Sequence, residues 1–140
     1  MPKYIRRAET TASPDAVWPL VSDLTRHGEW SADPLTVTAA ADGTYESVAK
    51  AKGKEFRARL EVLEAAEPRR FAFRASDATG TYEHVITLEP SASGTTITRE
   101  ITATELSPAQ RALFYVVLPI IKKPSAQRSL DKLAARAAGG

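Results

Sequence analysis

From Leu35 to Thr104 the chain alternates apolar and polar residues with a period of two, interrupted by clusters of turn-forming residues. That period is what a strand with one buried face requires, because successive side chains point to opposite sides. Asp42-Gly43 and Lys52-Gly53 are strong turn signals, and Glu67-Pro68, Asp77 to Gly80 and Pro90 to Gly94 complete the set. The spacing predicts strands near 35–40, 45–52, 54–66, 69–76, 80–89 and 95–104. Short turns between consecutive strands make an antiparallel meander. Lys3 to Thr11, rich in β-compatible residues, adds a seventh strand.

Helices are expected where the alternation stops. In Ser13-Pro14-Asp15, Ser13 can accept a bond from a free backbone N–H, Pro14 loses nothing at the first helical position, and Asp15 suits the positive helix end. The first helix carries Val17, Trp18, Leu20, Val21 and Leu24, and Pro19 inside it predicts a kink or a short helix. Thr25 to Glu29 reads as a second short turn delivering Trp30 to the core. Ser107-Pro108-Ala109-Gln110 opens the last helix with a cap, a proline at the first position and a capping box. Its later half carries Ala126, Leu130, Leu133 and Ala137 as one stripe. Its earlier half, Leu113 to Ile121, is apolar on every side, and Pro119 and Pro124 predict a kink or split.

The whole, residues 1–140, is expected to be one α+β domain: a curved seven-stranded antiparallel sheet wrapped around a long C-terminal helix, with two short helices after the first strand. At 140 residues the chain can bury roughly two-thirds of its unfolded surface without staples. A formal charge of +2 is too small to announce nucleic acid or an anionic membrane. The absence of cysteine removes disulfides, thiolate catalysis and cysteine-ligated metals. Residues Met1 to Arg7 have no apolar run behind their charges, and the longest apolar run falls short of the ~20 residues of a membrane span, so a cytoplasmic location is the expectation.

A strongly curved sheet with one helix across its mouth is not filled by the helix stripe alone, which predicts an internal cavity. The alternation puts Phe56, Ala58, Leu60, Val62, Phe71, Phe73, Tyr82, His84, Ile86, Leu88, Ile97, Arg99 and Ile101 on the inner face. Glu55, Arg57, Arg59, Glu61, Glu83, Thr87, Glu89, Thr96, Thr98 and Glu100 fall on the solvated face. Ligand sites are mostly apolar with a few convergent polar groups, and Tyr82, His84 and Arg99 are the polar members here. A buried Arg99 needs a partner, which is a glutamate near a strand end, water or a ligand. His84 is either a satisfied core histidine or an acid/base.

The order of these elements resembles a known superfamily. Ala12-Ser13-Pro14-Asp15-Ala16-Val17-Trp18-Pro19-Leu20-Val21-Ser22-Asp23, then His27-Gly28-Glu29-Trp30-Ser31, Glu67-Pro68-Arg69-Arg70-Phe71-Ala72-Phe73 and Gly94-Thr95-Thr96-Ile97-Thr98 are similar to the START-like or Bet v 1-like (SRPBCC) superfamily. The branch is that of the bacterial polyketide cyclases/dehydrases and lipid-transport proteins. The resemblance covers nearly the whole chain and implies a helix-grip fold with a pocket for lipids, polyketides or other hydrophobic metabolites. Some relatives are cyclases or aromatases and others carry or sense a ligand; no family-wide catalytic motif maps onto this chain.

Two functional readings follow. The first is a binding module without catalysis, whose ligand meets Phe56, Leu60, Phe71, Phe73, Tyr82, His84, Ile86, Ile97, Arg99, Leu113, Phe114, Val117 and Ile121. The second is a cyclase-like or dehydratase-like enzyme with His84 and Tyr82 as proton carriers and Arg99 holding an oxyanion. No metal or cofactor is expected: His27 and His84 sit on different elements, and no G-x-S-x-G, G-x-G-x-x-G or P-loop occurs. Lys50, Lys52, Lys54, Arg57 and Arg59 interleave with Glu55 and Glu61, which reads as a solvated face rather than a nucleic-acid site. Residues 113–123 either roof the cavity or form a gate that touches a bilayer through Lys122 and Lys123. A monomer or weak dimer is expected.

Overall fold

Strands run at β1 (Lys3–Thr10), β2 (Leu35–Ala39), β3 (Tyr45–Ala51), β4 (Lys54–Ala66), β5 (Arg70–Asp77), β6 (Gly80–Ser91) and β7 (Gly94–Leu106). They come from a computed structural model that describes residues 3–51, 53–112 and 124–139. All seven join one curved antiparallel sheet in the order β1-β7-β6-β5-β4-β3-β2. The meander therefore stands as the turn residues predict, and the N-terminal strand closes it beside β7. Strand ends shift by one or two residues from the expected ones; β1 stops at Thr10.

Turn chemistry explains the connections. Gly43 takes φ +86° between β2 and β3, where Asp42 Oδ1 accepts from Thr44 N at 3.1 Å. Gly94 takes φ +151° between β6 and β7, and a Cβ there would lie 2.2 Å from the Thr10 carbonyl oxygen. One irregularity was not expected: the β4–β5 register slips between Val62 and Glu64, so Leu63 is an extra residue and the alternation inverts beyond it. Val62 lies opposite Phe73, as its inward assignment requires, yet is 39% exposed beside the bulge.

Helix α1 (Pro14–Ser22) is short, as Pro19 implies, and Ser13 Oγ caps it by accepting from Ala16 N at 3.3 Å. A 3-10 turn (Leu24–Glu29) follows, capped by Asp23, whose Oδ1 accepts from Thr25 N at 3.0 Å. Leu24 belongs to this turn rather than to α1. Helix α2 (Pro108–Ala112) starts after Ser107, whose Oγ accepts from Gln110 N at 3.3 Å. The other half of the expected capping box is not formed: Ser107 N donates to the Thr79 carbonyl instead, at 3.1 Å. Helix α3 (Pro124–Gly139) starts with Pro124 in its first turn, where the missing N–H costs nothing. The predicted features of residues 113–123, including Pro119, lie outside the described residues.

The core is built where α1, the 3-10 turn and the C-terminal part of α3 meet the sheet. Val17, Val21, Ile86, Leu88, Ile97, Leu130 and Leu133 are sealed from solvent, and Leu24, Trp30 and Phe71 nearly so. Each such side chain contributes about 1.5–3 kcal/mol by leaving water. Polar links fix the helix: Thr10 Oγ1 donates to the Ala134 carbonyl (2.8 Å), Ala32 N to Ser129 Oγ (2.9 Å), and Arg136 pairs with Glu29 (2.9 Å). Outside, Arg57 pairs with Glu55 and Arg59 with Asp42, both at 2.7 Å, so two of the clustered cations are neutralised on the solvated face.

Candidate ligand cavity

Packing is uneven along the inner face. Cross-strand register sets Ala8, Ile97 and Leu88 side by side at one end of β1, β7 and β6. Toward the other end the same three strands present Tyr4, Ile101 and His84. The first end is the solid core. The second is open.

Two adjoining cavities occupy that open end. One, of about 310 Å³, is lined by Tyr4, Phe56, Asp77, Thr79, Tyr82, His84, Ile101, Gln110 and Ala126. The other, of about 250 Å³, is lined by His27, Trp30, Ser31, Asp33, Leu35, Arg99, Ile101, Ala126 and Ser129. Ile101 and Ala126 border both. The larger reaches the lower end of the usual size range of ligand sites, ~300–1,000 Å³.

Arg99 and His84 join the two spaces. They lie on neighbouring strands, and Arg99 Nη2 donates to His84 Nδ1 at 2.9 Å. Because a guanidinium only donates, Nδ1 must be the bare nitrogen, so the neutral ring carries its proton on Nε2. Burial, with Arg99 and then His27 nearby, holds the His84 pKa well below the usual histidine value. The ring stacks on Phe73, centroids 4.5 Å apart and planes within 11°. His27 is similar: its Nε2 donates to the Val21 carbonyl at 2.8 Å, and burial lowers its pKa to about 4. It packs against Trp30 and Phe73, with centroids at 4.7 and 5.6 Å. Trp30 is held by its own Nε1–H to the Leu20 carbonyl, 2.9 Å. Tyr82 OH meets Thr79 Oγ1 at 2.8 Å, and burial raises its pKa.

The sequence-derived site residues divide into three groups. Phe56, Tyr82, His84 and Arg99 line the cavities, Phe56 from the outer end of β4 with half its surface exposed. Leu60, Phe71, Phe73, Ile86 and Ile97 lie in the packed core. Leu113, Phe114, Val117 and Ile121 lie outside the described residues. The sequence reading missed Tyr4, His27, Trp30 and Asp33 as cavity walls. Among the described residues Arg99 meets a histidine and not the anticipated glutamate. Among the described residues no cluster of three or more metal-ligating side chains occurs.

The arrangement of sheet and C-terminal helix matches known proteins. The family model for "polyketide cyclase / dehydrase and lipid transport" matches residues 1–138. The chain belongs to that family. Among solved structures, a Chromobacterium violaceum protein superposes with a TM-score of 0.77 at 19% identity, covering 99% of both chains. A Thermus thermophilus protein gives 0.76 at 22% identity, covering 99% of this chain and 98% of its own. A Mycobacterium smegmatis protein gives 0.73 at 16%, covering 96% and 90%. At such identities these likenesses establish the helix-grip fold alone. No curated protein matches the chain. For a polyketide cyclase/dehydrase and lipid-transport family member, the family description leaves both carriage and chemistry open, so the site must decide.

Proposed function

We propose that this chain binds a hydrophobic small molecule, such as a lipid or polyketide, in the paired cavities between sheet and α3, for carriage or sensing rather than conversion. The observation that carries this is the state of His84. A general base needs a free lone pair, and the one on Nδ1 is occupied by Arg99. A general acid needs the charged ring or a proton of suitable acidity, and burial beside Arg99 keeps this ring neutral at pH 7. Tyr82 is no better placed, since burial makes its phenol harder to ionise. The larger cavity is walled mostly by carbon and the smaller one by a mixture of polar and apolar groups, a division that suits recognition.

The test is direct. The neutral fluorophore N-phenyl-1-naphthylamine should brighten and blue-shift with the protein at a stoichiometry near one, and native mass spectrometry of purified protein should detect a co-purifying small molecule. Incubation should return that molecule unchanged. Turnover of it would overthrow the carrier reading in favour of the cyclase one, and an absence of any probe uptake would remove both.

A further inference from the structure

Among the described residues, Arg99 is a largely enclosed cation without an anion. Its Nε is shut off from solvent and, among the described residues, has no hydrogen-bond partner. Among the described residues its single protein acceptor is His84 Nδ1, which is neutral. The other contact is the indole face of Trp30, with the guanidinium carbon 5.6 Å from the ring centroid. Asp33 borders the same cavity, but among the described residues no carboxylate oxygen comes within ion-pairing distance of Arg99. Asp77, on the wall of the larger cavity, is spent on its own turn, accepting from Thr79 N at 2.7 Å and Gly80 N at 3.2 Å.

The neighbour across the strands is no anion either. Arg6 on β1 lies directly opposite Arg99 on β7, with its guanidinium carbon 5.8 Å from the Tyr4 ring centroid and its Nη1 donating to the Ile5 carbonyl at 2.9 Å. The first turn of α3 brings Ala126 to the wall shared by both cavities, and that turn contains no acidic residue. A helix N-terminus carries about half a positive charge, so its field has the same sign. A buried charge without compensation is among the most costly features a fold can retain. A ligand that supplies the missing negative charge makes it worth keeping.

We propose that the guest is an amphiphile with a single carboxylate, whose head meets Arg99 in the smaller cavity while its carbon tail fills the larger one. This deepens the binding function above and rests on it. Guanidinium and carboxylate match as two parallel N–H···O bonds. A guanidinium supplies such a fork through its two Nη groups or through Nε and one Nη, and among the described residues Nε has no partner. The tail would pass Ile101 and Ala126 and lie along Phe56, Tyr4 and Tyr82. Alcohols or amines of the same length would fill the same space but leave the charge uncompensated or double it.

The experiment is displacement of N-phenyl-1-naphthylamine at pH 7.5 by dodecanoate, dodecanol and dodecylamine, each below its aggregation threshold. Dodecanoate should win over dodecanol by at least tenfold, and dodecylamine should rank last. Arg99→Gln should bring the ratio of acid to alcohol close to one, whatever it does to overall affinity. Arg99→Lys, which keeps the charge but loses the fork, should retain part of the preference and serves if the glutamine variant does not fold. Equal affinities of acid and alcohol for the wild type would overturn the proposal while leaving hydrophobic binding intact. So would a preference that survives Arg99→Gln. Failure of the neutral probe to bind at all would instead remove the binding function on which the proposal stands.

Discussion

Acid should unfold this protein through its two histidines before its carboxylates are touched. His27 is held at about 4 in the folded chain against an ordinary value of 6.5, chiefly because burial disfavours its charged form. His84 is displaced in the same direction, again chiefly by burial. The unfolded chain therefore takes up protons that the folded chain refuses, and acidification between pH 6.5 and 4 favours unfolding. Above 6.5 both states are neutral at these sites and stability is constant. By pH 5 His27 alone should have removed about 2 kcal/mol, and His84 adds to the loss in the same direction. Even ~2 kcal/mol is a sizeable part of the ~5–15 kcal/mol that holds a typical domain together. Glu29, paired with Arg26 and Arg136 and lowered from 4.5 to about 2, loses its contribution as pH falls from its ordinary value through about 2, so it adds little at pH 5 and above. Urea unfolding followed by tryptophan fluorescence at pH 8, 7, 6 and 5 reads the loss. His27→Gln, which can still donate to the Val21 carbonyl, should remove the share of the pH slope that His27 carries, about 2 kcal/mol between pH 7.5 and 5. Unfolding free energies that agree within about 0.5 kcal/mol from pH 7.5 to 5 would refute the electrostatic reasoning. So would a native imidazole resonance that titrates near 6.5.

Two further outcomes test the fold. Leu133, sealed between α3 and the sheet, should cost about 2–5 kcal/mol on substitution by alanine, seen as a lowered urea midpoint with an unchanged slope; a loss below about 1 kcal/mol would mean the helix is not seated as described. Gly94→Ala meets both a positive φ and the Thr10 carbonyl, whereas Gly43→Ala meets only the positive φ with open space around it. The first should therefore lower the thermal midpoint clearly more than the second, and the reverse order would count against the β6–β7 turn geometry.

The strands were legible because one physical rule, the alternation of faces, applies across residues 35 to 104 and turn residues mark each break. The caps at Ser13 and Ser107 were legible for the same local reason. What stayed hidden is what local rules do not encode. The slip at Leu63 is a change of register, and its one trace in the sequence is the adjacent apolar pair Val62-Leu63. The cavity walls from the 3-10 turn and the loop after it, His27, Trp30 and Asp33, follow no period of two and so fell outside an inventory drawn from strand faces. Tyr4 was missed because β1 alternates Tyr4, Arg6, Ala8 and Thr10, a face too mixed to announce itself. Arg99 was singled out by charge alone, and its neutral partner could not be read from spacing.

The division of the interior into a solid end and an open end separates two evolutionary pressures. Side chains that border a void have fewer neighbours to attract, so trimming or enlarging them forfeits little cohesion. Positions 56, 82 and 101 can therefore drift in size, while the contacts of residues 130, 133 and 97 go on holding the sheet to its helix. A scaffold arranged this way can reshape one end of its interior without renegotiating how it folds.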